Sequence, residues 1–158
     1  MIRGSHLSHL IELAAYEPDF APNLGSLVRL GVCFDTPLNV IDPCGFPFSL
    51  KLLKSRGLDY IDKAVIHRHD SWQKFKSKAL IKTNRLVLLS TKSSRSIWDF
   101  NFEAKDCILL GRESAGVPEH VHEEVHERVY IPMPGNGRSL NIAISAAIAL
   151  AEASRQLR

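Results

Sequence analysis

The sequence has little cysteine and no pattern in what it has. Cys33, Cys44 and Cys107 are three in 158 residues. They are an odd number without a C-x-x-C pair, which argues against a disulfide framework or a cysteine-built zinc site and fits a reducing, cytoplasmic setting. Long apolar runs are missing too. The stretch from Leu10 to Tyr16 is interrupted by Glu12 and is too short for a signal-peptide core or a membrane span. Charge of one sign is not in excess: twenty basic against seventeen acidic residues leave +3. That is a mild bias towards anionic partners, not the density of a chain that coats nucleic acid. There is no internal repeat, low-complexity tract or linker. With 45% hydrophobic and 23% charged residues, the composition is that of an ordinary soluble globular protein. One domain over 1–158 is the expectation, with residues 1–9 outside its ordered part because the opening MIRGSH has the character of an added tag.

Several familiar nucleotide and nucleophile signatures are also absent. GRESAG (111–116) spaces its glycines like a phosphate loop, but Val117-Pro118 stands where a Walker motif requires Lys followed by Ser or Thr. No G-x-G-x-x-G follows the first strand, and no G-x-S-x-G elbow occurs anywhere. On spacing alone, Gly111 and Gly116 serve equally well as ordinary turn residues.

What is present is alternation. LIELAAY (10–16), LNVID (38–42), AVIH (64–67), RLVLLST (85–91), CILLG (107–111) and RVYIP (128–132) read as strands. Helical spacing appears in LGSLVRLGVCF (24–34), in SLKLLKSR (49–56), after Asp70-Ser71, and in the alanine-rich 140–157. Strands alternating with helices predict an α/β fold with a mostly parallel sheet flanked by helices. In such a sheet, ligands bind beyond the carboxyl ends of the strands. The loops there, 17–29, 92–95, 112–118 and 133–141, concentrate Gly, Asn, Ser and Arg.

HEEVH (122–126) matches the H-E-x-x-H pattern of zinc hydrolases, which needs both histidines on one helical face with Glu123 beside a metal-bound water. Pro118 marks a helix start and a strand begins just after His126, so only about two turns are available. The preferred reading makes His122, Glu123 and His126 solvated residues of a short connection, with no metal. The two histidines of HRH (67–69) read as pointing to opposite sides of a strand and as non-ligating.

Three stretches together carry more. Asn23-x-Gly25 with Arg29 lies in YEPDFAPNLGSLVRL; Leu110-Gly111-Arg112-Glu113 runs on to Gly116; Ile131-Pro132-Met133 is followed by Arg138-Ser139-Leu140-Asn141. With SRGLDY (55–60) and LLSTK (88–92), they resemble the SPOUT superfamily of S-adenosyl-L-methionine-dependent RNA methyltransferases. Within it they are most similar to the tRNA (cytidine(34)-2'-O)-methyltransferase family. The likeness spans about residues 12–157. It implies an α/β fold with a C-terminal trefoil knot, one of the exceptions to unknotted topology, and a homodimer that binds tRNA. The implied reaction methylates a ribose 2'-hydroxyl at wobble nucleotide 34 and releases S-adenosyl-L-homocysteine. Another tRNA or rRNA position, or a non-catalytic RNA-binding module of the same fold, is the alternative.

Carried over position by position, the resemblance implies that Leu89, Gly111, Ile131, Ser139 and Leu140 line the cofactor. It implies that Arg29 reaches the ribose across a dimer interface, with Asn23, Glu113 and Asn141 shaping the catalytic pocket. Arg138, Arg112, Lys51, Lys54 and Arg56 are the candidate RNA contacts. A guanidinium stays protonated in proteins, so Arg29 is expected to act by charge and hydrogen bonding and not as a base.

Overall fold

The computed structural model describes residues 10–55, 59–82 and 85–158. Six strands form one sheet: β1 (Ile11–Tyr16), β2 (Leu38–Ile41), β3 (Ile66–His69), β4 (Leu86–Leu89), β5 (Asp106–Leu110) and β6 (Glu127–Val129). The spatial order is β3-β2-β1-β5-β4-β6, and every pairing is parallel. Strands in a sheet covered on both faces are near-continuously apolar. β5 is buried at all five positions and β1 at all but Glu12. Glu12 itself is held by Asn39, whose side-chain amide donates to its carboxylate at 2.9 Å.

Helices cover both faces. On one, α1 (Ala21–Phe34) and α5 (Ile142–Gln156) bury Leu24, Leu27 and Val28 with Ala146, Ala149 and Leu150. On the other, α3 (Trp72–Lys82) and α4 (Glu119–Glu124) bring Trp72, Phe75 and Val121 against Ala14, Ile41 and Leu109. The short α2 (Leu50–Ser55) lies between β2 and β3. The small side chains of α5 let it lie close to α1 and the sheet. Its last turn is tied down by Gln156, which donates to the Phe100 carbonyl at 2.9 Å and accepts from the Phe102 amide at 2.8 Å. No described helix is long and apolar enough to cross a membrane.

The expected elements are present, with shifted edges. β3 starts at Ile66 and not Ala64, because Ala64 caps a short 3-10 turn and Ile66 is the residue in register with Leu38. β6 stops at Val129; Tyr130 still bridges to Ser96, but Pro132 has no N–H to extend a ladder. The reading of the two histidines in β3 is corrected as well. Residues two apart in a strand share a face, and His67 and His69 line one small cavity with Glu12, Asn39 and residues of α3. His69 is buried there, its Nε2 paired with the Asn39 carbonyl oxygen at 2.8 Å. Arg56, one of the expected RNA contacts, lies outside the described residues, as do residues 1–9.

Glu152, nearly buried on α5, is held by Arg155 at 2.8 and 2.9 Å and by Gln156 at 2.7 Å. These donors, the Arg155 guanidinium first, bring its carboxyl from the ordinary 4.5 down to about 2. A depressed folded-state value stabilises the fold above the ordinary value, and that stability is lost as pH falls towards the depressed one. In urea titrations, Glu152→Gln is therefore expected to be less stable than the parent at pH 7, with the gap closing as pH drops from 4.5 to about 2.

Candidate active site

The strand order reverses between β1 and β5, since β2 and β3 lie on one side and β4 and β6 on the other. That is the switch point at which an open parallel sheet leaves a crevice beyond its carboxyl ends. A cavity of about 510 Å³ opens there, with Leu89 at the end of β4, Gly111 after β5 and Ile131 after β6. Ser139 and Leu140, from the segment entering α5, complete it. All five residues expected to hold the cofactor thus face one space.

The turn after β5 explains why glycine stands at Gly111. Arg112 and Gly116 exchange backbone hydrogen bonds at 2.9 Å in both directions, closing a tight loop. A Cβ on Gly111 would meet the Gly116 Cα at 2.7 Å, and Gly116 itself has a φ of 62°. Only glycine adopts the second conformation freely. The glycines therefore do what ordinary turn chemistry requires, and in doing so place Arg112 and Glu113 at the cavity.

Asn23, Glu113 and Asn141 meet although 90 and 118 residues separate Asn23 from its two partners. The Asn141 side-chain oxygen caps α5, accepting from Ala143 at 2.8 Å and Ile144 at 3.3 Å. That leaves its amide to donate to the Asn23 carbonyl oxygen at 2.7 Å. The Asn23 amide then donates to Glu113 Oε1 at 3.2 Å. Each link fixes the orientation of the next, so the direction of the chain follows from the helix cap.

Asp19 completes this network; the sequence reading did not single it out. Its amide donates to Glu113 Oε2 at 3.0 Å, and its carboxylate accepts from the Glu113 amide at 3.2 Å and from the Ser114 hydroxyl. Burial, reinforced by Asp19, raises the proton affinity of Glu113. Hydrogen bonding from Glu113 holds Asp19 below the usual carboxylate range. An acidic residue in the loop that opens α1 was the available signal, but nothing local connects it to Glu113.

Of the other expected residues that the structure describes, Arg112 alone is gathered here. Arg29 is exposed on α1, its guanidinium 5.2 Å from the Tyr60 ring, and it does not line the cavity of its own chain. Arg112 does line it, with Nη1 3.3 Å from Glu17. Arg138 and Lys51 are exposed, and Lys54 is engaged with Asp62 at 2.7 Å.

HEEVH behaves differently from expectation. α4 ends at Glu124 and Val125 is already extended, so His126 is off the helix and shares no helical face with His122. The His126 Nδ1 accepts the Leu86 amide at 2.9 Å. No cluster of three or more metal-ligating side chains occurs among the described residues. Glu123 is exposed, as read. His122, however, is half-buried and lines the cavity; the reading of it as a plain surface residue is corrected.

Comparison with known proteins agrees with this geometry. The model of the SpoU rRNA Methylase family matches residues 11–151. The tRNA (cytidine(34)-2'-O)-methyltransferase of Beijerinckia indica subsp. indica is 45% identical over 145 residues, covering 92% of this chain and 91% of that protein. The protein of the same name from Ancylobacter novellus is 44% identical over 146 residues, covering 92% of each. A solved structure described as giving insights into the 2-OH methylation of C/U34 on tRNA superposes with a TM-score of 0.87 at 35% identity, covering 95% of this chain and 97% of that one. An AdoMet-bound rRNA methyltransferase from Sinorhizobium meliloti shares the fold, with a TM-score of 0.82 at 23% identity over 99% of this chain and 59% of that chain.

Gly111→Ala is expected to lower stability by about 1–3 kcal/mol, because the added methyl meets Gly116 backbone that cannot swing aside. Gly135→Ala, where an added Cβ meets nothing within 4 Å, should stay within about 0.5 kcal/mol. Denaturant titration of both variants checks the contrast.

Proposed function

The chain belongs to the SpoU rRNA methylase family, and from that premise we propose that it methylates the ribose 2'-hydroxyl of wobble nucleotide 34 in tRNA, using S-adenosyl-L-methionine. The observation that carries the reading is the convergence of Leu89, Gly111, Ile131, Ser139 and Leu140 on one cavity beside the Asn23–Glu113–Asn141 network. Near-full-length relatives named for this activity support the choice of substrate.

The residues present fit the cofactor. Leu89, Ile131 and Leu140 offer apolar walls to an adenosyl group, and the absence of a side chain on Gly111 lets a ligand approach the backbone. When bound, S-adenosyl-L-methionine supplies an electrophilic sulfonium methyl, so the protein has mainly to align an oxygen nucleophile and ease loss of its proton. The Asn23 and Asn141 amides, locked by Glu113 and by the α5 cap, form the rigid wall against which the ribose is aligned. Arg29 steadies the negative charge that develops on the ribose oxygen.

Arg29 lies off the cavity of its own chain, and we read it as reaching the ribose from a second protomer. Exposed Phe20 and Ile144, beside the starts of α1 and α5, give a homodimer an apolar surface to cover. Pooling two protomers' Arg138, Arg112, Lys51, Lys54 and Arg56 would supply the positive field for a tRNA stem-loop, since the chain's net charge is only +3. The family also carries the expectation that the C-terminal part is threaded as a trefoil knot, that residues 1–158 act as one domain, and that the enzyme works in the cytoplasm.

Calorimetry should show S-adenosyl-L-homocysteine binding, and nucleoside mass spectrometry should show 2'-O-methylated nucleotide 34 in tRNA treated with the protein and S-adenosyl-L-methionine. Arg29→Ala is expected to cut methylation about 100-fold or more while leaving homocysteine-product binding intact. Absence of that binding in the parent protein would sink the reading.

Contribution in trans has its own test. Arg29→Ala and Asn141→Ala are each expected to be inactive alone. Mixed and allowed to exchange subunits, they should regain activity, because one site of each heterodimer then carries neither substitution. No recovery under verified exchange would place Arg29 in the site of its own chain.

A further inference from the structure

Asp19 and Glu113 are tied to each other twice through the backbone. The Asp19 amide donates to Glu113 Oε2 at 3.0 Å, and the Glu113 amide donates to Asp19 Oδ1 at 3.2 Å. The loop after β2 packs against Asp19 as well. Its Gly45 amide donates to the Pro18 carbonyl at 2.9 Å, and a Cβ on Gly45 would fall 2.8 Å from the Asp19 Cβ. Glu113 is half-buried and lines the cavity, whereas Asp19 does not line it. Any effect of Asp19 on a bound substrate therefore passes through Glu113.

The Glu113 carboxylate is fixed in direction but not saturated. Oε1 accepts from the Asn23 amide at 3.2 Å and Oε2 from the Asp19 amide. Each oxygen of an ionised carboxylate has two lone pairs, so the group can still take up a proton. Among the described residues one other carboxylate lines the cavity, Glu119, and it is exposed on the first turn of α4. Only Glu113 is bonded to the amide pair that forms the wall for the ribose. Burial first, and then the Asp19 carboxylate beside it, raise the proton affinity of Glu113, while Asp19 stays ionised. A proton arriving at Glu113 is thus held against a negative neighbour.

We propose that Glu113 accepts the proton of the ribose 2'-hydroxyl, and that Asp19 is the positioning residue that holds the Glu113 carboxyl in place and stabilises it once protonated. This rests on the methyltransferase reading above. As the 2'-oxygen bonds to the methyl carbon, the carbon–sulfur bond breaks. The 2'-O–H bond breaks too, and its proton passes to a Glu113 oxygen. One positive charge on sulfur and one negative charge on Glu113 disappear together, so charge balances. The proton leaves to water when the product departs. A guanidinium cannot serve as this acceptor, so Arg29 keeps the role of steadying charge and Glu113 takes the proton.

The test is single-turnover methylation of tRNA as a function of pH by the full chain and its Glu113→Gln and Asp19→Asn variants, beside calorimetry with S-adenosyl-L-homocysteine. The titratable and charged groups facing Glu113 are Asp19 and Glu17 from the loop opening α1, Arg112 on its own turn and Cys44 from the loop after β2. Burial pushes the Cys44 thiol up to about 12, so it stays neutral through the assay. The parent rate should fall on the acid side as Glu113 becomes protonated. Glu113→Gln is expected to lower the rate about 100-fold, to lose that acid limb, and to bind S-adenosyl-L-homocysteine as the parent does. Asp19→Asn removes a neighbouring negative charge, so Glu113 holds its proton less readily and the acid limb moves to lower pH by about half a unit or more. A residue that only braced the loop would lower the rate without moving the limb. A Glu113→Gln rate within about threefold of the parent, an acid limb that survives in that variant, or an unmoved limb in Asp19→Asn overturns the proposal and leaves the methyltransferase reading standing. Loss of S-adenosyl-L-homocysteine binding in either variant makes the pair a brace of the cavity and overturns it too. A parent that neither binds S-adenosyl-L-homocysteine nor methylates tRNA removes both.

Discussion

The site depends on one partly buried chain of hydrogen bonds, from the capped start of α5 through Asn141 and Asn23 to Glu113 and Asp19. It joins three segments that follow different strands or precede different helices: the loop opening α1, the turn after β5 and the entrance to α5. Because the Asn141 oxygen is committed to the helix cap, each amide along the chain has only one satisfying orientation. A pair of carboxyls ends the chain, and the more buried of the two, Glu113, holds a proton more readily than Asp19. Breaking either bond of Asn23, the buried member, leaves part of its amide unsatisfied, so the pocket wall and the packing of α1 on α5 are parts of one arrangement.

The cavity is shaped by the sheet beneath it. Strand ends from β4, β5 and β6 stop at nearly the same level and present Leu89, Gly111 and Ile131 side by side. The close packing of Gly111 on Gly116 brings the following turn over the crevice, which sets Glu113 within reach of Asn23. On the far side of the sheet from this turn, Glu12, Asn39 and His69 form a second polar group on β1, β2 and β3, with Asn39 and His69 buried.

Much of the site was legible because its residues sit in short, ordered motifs: Asn23-x-Gly25, Gly111-Arg112-Glu113 and Ser139-Leu140-Asn141. Those letters, matched to a family, pointed to residues that the structure gathers at one cavity. Asp19 was not legible, since one acidic residue in a loop is unremarkable until Glu113 is seen opposite it. His122 was misjudged for a related reason. Its apparent partner in the sequence was His126, four residues on, whereas the helix ends before His126 and that ring turns to the Leu86 amide. A helical spacing has meaning only where a helix persists, and six residues of α4 do not reach.

By itself, the sequence determined the alternation of buried strands and amphipathic helices, the glycine turn after β5 and the capping asparagine of α5. These follow from local periodicity, φ preference and side-chain reach within a few residues. Only the tertiary structure decided that Asn23 meets Glu113 and Asn141, that Asp19 belongs with them, and that His122 faces inward while Arg29 faces away from its own cavity. Contacts across 90 or more residues depend on strand order, and strand order is a property of how the whole sheet buries its faces, which no local spacing records.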